Sequence, residues 1–419
     1  MKKKLRILVV LPMYGGSLPI GRYCATALRE EGYSVRVFEA PELYSAFTGL
    51  KRLDLAPEHL PLLERGFLQV VGQAIWAHVQ TFEPHFVLSM AQAPMSKPIL
   101  DRLRRTGVRT AMWFVEDWQI FNYWKSYAPL YDVFAVIQKQ PFLDELTKIG
   151  QNNALYLPLA CLPSFHGVAE LTAEERKYYA ADISFLGAGY PNRRMAFRGL
   201  LGKNFKIWGS DWENENVLAA HIQKQGTRID ASECLKIYAA TTINLNLHSS
   251  LQSKELVTHG DFVNPRTFEL ACANAFQLVD RRTLLPELFD RDELVVFDDI
   301  ADMEQQIEFY LRHKEERQAI SAKACERAKR DHTYAKRMEI LLDFVEQRFG
   351  WPVFERDQTH EDDPLFAAEI EELLTKLNVG PKASFEEVVE RLRRQSGQLN
   401  SMEMAVLFLD EWRKQYAKK

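Results

Sequence analysis

Short apolar runs alternate with helix-period stretches along most of this chain, and few architectures accommodate that rhythm. Residues 5–11 form an apolar run, Pro12-Met13-Tyr14-Gly15-Gly16-Ser17 a loop, and residues 18–31 a helix that stops at Gly32 before a second run at 34–38. Strand, crossover helix and strand in that order predict a parallel sheet with right-handed connections. The pattern continues with a helix at 60–81 and a strand at 85–90, then a helix at 98–105 and a strand at 109–115. A strand at 132–137, a helix at 141–150 and a strand at 154–157 complete the series. A second cycle starts at 182–186, just before Gly187, and has further strands at 205–208, 241–247, 275–279 and 293–297. Helices are expected between them at 193–201, 232–240 and 265–273, and after them at 300–312 and 315–330. Pro158, Pro163 and Gly167 break the pattern between the two cycles.

The expected class is therefore α/β, with two Rossmann-like, doubly wound domains facing a cleft and a C-terminal helical extension. The expected boundaries are 1–165, 166–334, a helix at 335–350 that crosses back to the first domain, a polar linker at 351–364, and the extension at 365–419. Capping boxes at Ser384 to Glu387 and Asn400 to Glu403 open two of the three helices expected there. Those helices are open to packing on one another, on the main body, or on a partner or second copy.

A hydrophobic fraction of 47% fits buried cores, and a net charge of -4 with mixed signs speaks against nucleic acid as a partner. No stretch is long and apolar enough to span a bilayer. The basic start Met1-Lys2-Lys3-Lys4 precedes an apolar run, but that run is short, carries Arg6 and lacks a small-residue cleavage site. A cytoplasmic location is expected. The five cysteines, Cys24, Cys161, Cys234, Cys272 and Cys325, have neither disulfide-framework nor zinc-site spacing.

Ligands of open parallel sheets bind beyond the carboxyl ends of the strands. Gly15-Gly16 follows the first strand, yet no G-x-G-x-x-G is present, so a dinucleotide site is weakly supported. A tight turn explains the pair as well. Gly187-Ala188-Gly189-Tyr190-Pro191-Asn192-Arg193-Arg194 places two arginines in a first helical turn, where they oppose the helix dipole unless an anion offsets them. A solvent-exposed basic turn is the alternative. Asn264-Pro265-Arg266-Thr267-Phe268-Glu269 carries the sharpest signal. Asn264 is a good N-cap and Pro265 a favoured first residue. The N–H groups of Arg266 and Thr267 could receive a phosphate, and Glu269 could accept two ribose hydroxyls. A capped helix with an acid in its first turn is the plain reading. Asn246 and His248 close a strand and could line the same cleft. In the first domain, Glu116-Asp117-Trp118 follows a strand, where an acid could orient or deprotonate a hydroxyl or serve as an N-cap.

These motifs, taken in order, resemble the CgeB-like family of GT-B glycosyltransferases over roughly residues 1–349. The resemblance rests on Phe185-Leu186-Gly187, Arg193, Ile207-Trp208-Gly209, Asn244 to His248, Asn264 to Cys272, and His332-Thr333-Tyr334 with Arg337. Trp113 to Asp117 and Tyr156 to Ala160 add to it in the first domain. It implies a GT-B fold and transfer of a sugar from a nucleotide diphosphate donor to an acceptor that is a protein, a glycan or a small molecule. Gly187, Arg193, Asn246, His248, Asn264, Arg266, Thr267 and Glu269 would lie on the donor, and Gly15, Gly16 and Asp117 toward the acceptor, with Asp117 as the catalytic candidate. Asp261 and Glu269 have the family's E-x7-E spacing, with Asp in the first place. Asn274 stands where the family usually has Gly. No cofactor or metal is expected, since helix dipoles and basic side chains typically neutralise the leaving diphosphate in this group. The two departures leave a second reading open, a non-catalytic scaffold that binds a nucleotide or a partner.

Overall fold

The computed structural model describes residues 5–56, 58–250, 257, 260–352, 364–380, 383–395, 397 and 399–416. The basic residues 1–4 and most of the 351–364 linker lie outside them. The chain divides into two compact units, Met1–Pro352 and Val353–Lys419.

The larger unit contains two parallel sheets. The first has the order β2-β1-β3-β4-β5-β6, from Arg6–Val10 (β1), Ser34–Phe38 (β2), Phe86–Met90 (β3), Arg109–Phe114 (β4), Val133–Val136 (β5) and Ala154–Tyr156 (β6). Strands β3 and β5 are buried end to end, and β1 and β4 from their second residue on, as expected of strands covered by helices on both faces. The second has the order β11-β10-β9-β7-β8, from Ala181–Leu186 (β7), Phe205–Trp208 (β8), Thr241–Asn246 (β9), Gln277–Asp280 (β10) and Val295–Phe297 (β11). In each sheet the first strand of the domain lies between the second and third. The strand order therefore reverses between β1 and β3 and again between β7 and β9, where a ligand crevice opens.

Gly21 fixes how closely the helix Ser17–Glu30 approaches the first sheet, because a Cβ there would come within 2.5 Å of Leu11 and 2.7 Å of Met90. The chain crosses between the sheets twice, and the two crossings are joined by backbone bonds. Cys161 donates its N–H to the His332 carbonyl at 2.9 Å and accepts from Tyr334 N–H at 2.8 Å. Arg337 donates to the carbonyls of Pro158 and Leu159 at 2.7 and 3.2 Å. The helix Tyr334–Phe349 then packs on Ser17–Glu30, and Arg109 holds its end through the Phe349 carbonyl at 3.1 Å. One apolar core runs from the first sheet through Tyr334 and Leu341 to Phe268 and Val279.

Three α-helices have no counterpart in the sequence reading, Tyr44–Gly49, Trp124–Tyr127 and Ala173–Tyr179. Ala173–Tyr179 starts with a complete capping box between Thr172 and Glu175, a signal legible in the residues. Tyr44–Gly49 carries no cap bond from a side chain.

The smaller unit holds the helices Pro364–Lys376, Phe385–Arg393 and Ser401–Tyr416 around Leu373, Leu377, Val388 and Leu392. The Asn400–Glu403 box closes in both directions at 2.8 Å, whereas at Ser384 only the bond from Glu387 N–H is present. Among the described residues no helix is long and apolar enough to cross a membrane.

Candidate active site

The helix Pro265–Cys272 begins where the second sheet reverses its strand order, and a buried amide network sets its first turn. Asn264 caps it, its Oδ1 accepting from Thr267 N–H at 3.1 Å. Asn264 Nδ2 donates to Asn246 Oδ1 at 2.8 Å, and Asn246 Nδ2 donates to Thr267 Oγ1 at 2.9 Å and to Gln277 Oε1 at 3.1 Å. Gln277 returns a bond to the Thr267 carbonyl at 2.9 Å. Asn246 at the end of β9 and Gln277 at the start of β10 thus tie the helix end to two strands. The Thr267 N–H is consumed by the cap, so it does not point outward as the sequence suggests. Of the two N–H groups named for a phosphate, Arg266 keeps the one with no partner among the described residues.

His248 is buried, and both its ring nitrogens are used inside the protein. Its Nε2 accepts from Asn264 N–H at 2.9 Å, which requires the proton on Nδ1, 2.6 Å from Asp280 Oδ1. Burial pushes the His248 pKa down against the pull of Asp280, and the backbone donor on Nε2 keeps the ring neutral. His248 therefore positions the start of the helix and offers no nitrogen to a ligand. Asp280 is fully buried at the end of β10, with Arg282 3.7 Å from its other oxygen. The Arg282 guanidinium lies against Gly260, where a Cβ would come within 1.7 Å of it.

Arg193 is likewise turned inward. Its Nε and Nη2 donate to the Leu247 carbonyl at 2.9 and 2.7 Å, and its Nη1 to the Ala188 carbonyl at 3.0 Å. Burial lowers its pKa to about 10. The conflict of an arginine with the helix dipole is thus answered by carbonyl oxygens, where the sequence reading looked to a pyrophosphate. Asn192 completes this joint, donating to the His248 carbonyl at 2.9 Å. Gly187 and Gly189 serve close packing. A Cβ at Gly189 would come within 2.2 Å of the Asp211 carbonyl oxygen, and one at Gly187 within 2.9 Å of the Phe185 ring.

Glu269 is half-buried on the face that looks toward the first domain. Tyr238 donates to its Oε2 at 3.2 Å, Arg266 Nη1 lies 3.4 Å from the same oxygen, and His166 Nε2 lies 3.9 Å from Oε1. His166 Nδ1 accepts from Leu162 N–H at 2.9 Å, so its proton faces Glu269. Its pKa is depressed, first by burial and then by Arg266, with Glu269 pulling the other way. Tyr23, from Ser17–Glu30, packs edge-on to His166 at 4.7 Å, and the Glu269 charge adds to burial in raising its pKa. Both domains therefore shape the surroundings of this carboxylate.

Asp261 spans the domain junction. It accepts from Gln138 Nε2 at 2.8 Å and Lys139 N–H at 3.3 Å, both just beyond β5, while Lys139 Nζ reaches Glu287 at 2.5 Å. Gln138 in turn accepts from Trp118 N–H at 3.0 Å. Asp117 accepts from Gln119 N–H at 2.9 Å, and its charge, with those of Asp280 and Asp261, supports the buried Arg282. Gly15 has φ +106 and faces Gln92, and Gly16 precedes the helix Ser17–Glu30 as its N-cap. They share the β1 end with the first crevice, apart from the Glu269 cluster. The residues that sequence reasoning missed are His166, Tyr238, Asp280, Arg282 and Gln138, while Glu116 is named beside Asp117 but not taken as the candidate. Asp280 directly follows the strand expected at 275–279 and so falls under the strand-end rule, but the others depend on long-range pairing.

Residues 193–343 match the family model described as "Glycosyl transferase-like". The chain is 24% identical over 255 residues to the spore protein CgeB of Bacillus subtilis (strain 168), covering 58% of this chain and 77% of that protein. Among solved structures, a glycosyltransferase from Rickettsia africae ESF-5 is 12% identical, with a TM-score of 0.55 over 82% of this chain and 98% of its own. An Anabaena protein in complex with UDP and glucose is 10% identical, with a TM-score of 0.54 over 82% of this chain and 100% of its own.

Proposed function

We propose that the chain is a CgeB-like GT-B glycosyltransferase that transfers a sugar from a nucleoside diphosphate donor held at the start of the Pro265–Cys272 helix. The observation that carries this reading is Glu269, a carboxylate whose neighbours leave Oε1 hydrogen-bonding capacity one turn inside a capped helix end. Its oxygens suit the two adjacent hydroxyls of a ribose. The N–H and guanidinium of Arg266, with the helix dipole, suit the diphosphate. The acceptor hydroxyl oxygen attacks the anomeric carbon from the side of the first sheet. The bond from that carbon to the diphosphate breaks, the nucleoside diphosphate departs with the bonding electrons, and the hydroxyl proton passes to a carboxylate on the acceptor side. The same charges stabilise it as it leaves, so no metal ion is needed. Asp261 holds the domains together across the junction, and Asp117 lies on the acceptor side.

The test is release of nucleoside diphosphate from a panel of UDP-, GDP- and TDP-sugars, with and without mixed acceptors. Release from one base class is expected, reduced at least tenfold in Glu269→Ala. No release from any donor by the folded protein would overturn the reading.

A further inference from the structure

We propose that the crevice at the carboxyl ends of β1 and β3 is a binding pocket for the apolar part of the acceptor, an aromatic ring or a compact aliphatic group whose hydroxyl hydrogen-bonds to Glu116. This rests on the reading that the first domain receives the acceptor, and it names the chemical class of that acceptor. The cavity measures about 340 Å³ and is lined by Met13, Phe47, Leu68, Met95, Met112 and Tyr127. That size lies at the lower end of the roughly 300–1,000 Å³ usual for small-molecule sites. Three methionines give the wall a polarizable, adaptable surface suited to a ring. A sugar acceptor, with a hydroxyl on nearly every carbon, would leave most of its polar groups without partners against these side chains.

Polar groups gather at one side of the cavity. Gln92 Nε2 and the Tyr123 hydroxyl each donate to one oxygen of Glu116, the latter at 2.8 Å, while the Tyr123 oxygen accepts from Gln92 N–H at 3.0 Å. This closed ring holds Gln92 in the left-handed region at φ 62, a conformation unfavourable for a residue other than glycine. Gln92 and Tyr123 line the cavity, and this ring fixes both of them against Glu116. Each Glu116 oxygen can accept a further bond, and burial raises its pKa, which suits it to receiving a hydroxyl proton. The three consecutive residues Glu116, Asp117 and Trp118 then connect the cavity to the domain junction, since Trp118 N–H bonds Gln138, which bonds Asp261. The acceptor hydroxyl would thus lie beside the segment leading to the donor-binding domain.

Ligand-observed NMR on the full chain with 2-naphthol, phenol and glucose as probes tests this, with UDP, GDP and TDP binding measured in parallel. We expect 2-naphthol to bind the wild type, glucose to leave it undisplaced, Leu68→Trp to weaken it at least tenfold by filling the cavity, and Glu116→Gln to weaken it severalfold. Thermal melting of both variants checks that they are folded. No 2-naphthol binding to the wild type, or equal binding to Leu68→Trp, would overturn the proposal even where nucleotide binding stands. Naphthol binding without any nucleotide binding would uphold the pocket and sink the donor reading.

Discussion

Replacing His248 by Ala removes one side chain that satisfies two buried partners. Asn264 N–H loses its acceptor at 2.9 Å, and Asp280 loses the ring donor at 2.6 Å. Asp280 then keeps the His248 backbone N–H at 3.0 Å and Arg282 at 3.7 Å, in a place with no access to water. An orphaned buried donor costs about 1–3 kcal/mol, and a buried charge stripped of a partner costs about 3–5 kcal/mol. The losses share one side chain, so a total of about 3–5 kcal/mol is expected, or a Tm lower by roughly 4–7 °C for a unit of this size. Differential scanning calorimetry measures it. A Tm within about 1 °C of wild type would refute the role given to the pair.

Acid should weaken the fold through its histidines. His166, His248 and His332 all have folded pKa values depressed chiefly by burial, His332 to about 4. The unfolded chain binds their protons first, so stability is complete above about pH 6.5 and falls toward pH 4, by up to roughly 1.4 kcal/mol per pH unit for each ring; urea melts at several pH values read it. Gly21→Ala forces a methyl into Leu11 and Met90, and a loss of about 1–3 kcal/mol is expected in the same melts. Asn274 has φ 54 just past the end of the Pro265–Cys272 helix, so Asn274→Gly should hold or raise the Tm and Asn274→Val should lower it. If the helix end and basic side chains alone neutralise the diphosphate, EDTA should leave donor turnover unchanged in a coupled nucleotide-release assay.

The strand and helix rhythm made the two parallel sheets legible, because buried strands are short apolar runs and their crossovers are amphipathic. The cap at Asn264 was legible for the same local reason, since Asn followed by Pro and a helix-period run has one economical conformation. Asn274 stands where the family usually has Gly, and its φ of 54 lies in the left-handed region that Asn tolerates better than most residues. Side-chain direction was not legible. Arg193 in the first turn of the helix after β7 and His248 just past β9 lie where ligands of such sheets bind, yet Arg193 turns to the Leu247 carbonyl and His248 to Asp280. Which way such a group turns depends on partners up to 54 positions away, and nothing local encodes them. Glu116 and Asp117 leave the strand side by side, and only the packing shows that Glu116 bonds Gln92 and Tyr123, which line the cavity.

Isothermal titration of the wild type and Glu269→Ala with UDP, GDP and TDP asks most directly whether the helix start at Asn264 to Glu269 is the donor site. A charged hydrogen bond is worth about 1.5–3 kcal/mol, so loss of the Glu269 carboxylate should weaken the preferred nucleotide roughly 10- to 150-fold, with the Tm of the free protein little changed. Equal affinity in the two proteins, or no affinity for any of the three nucleotides, would contradict that placement.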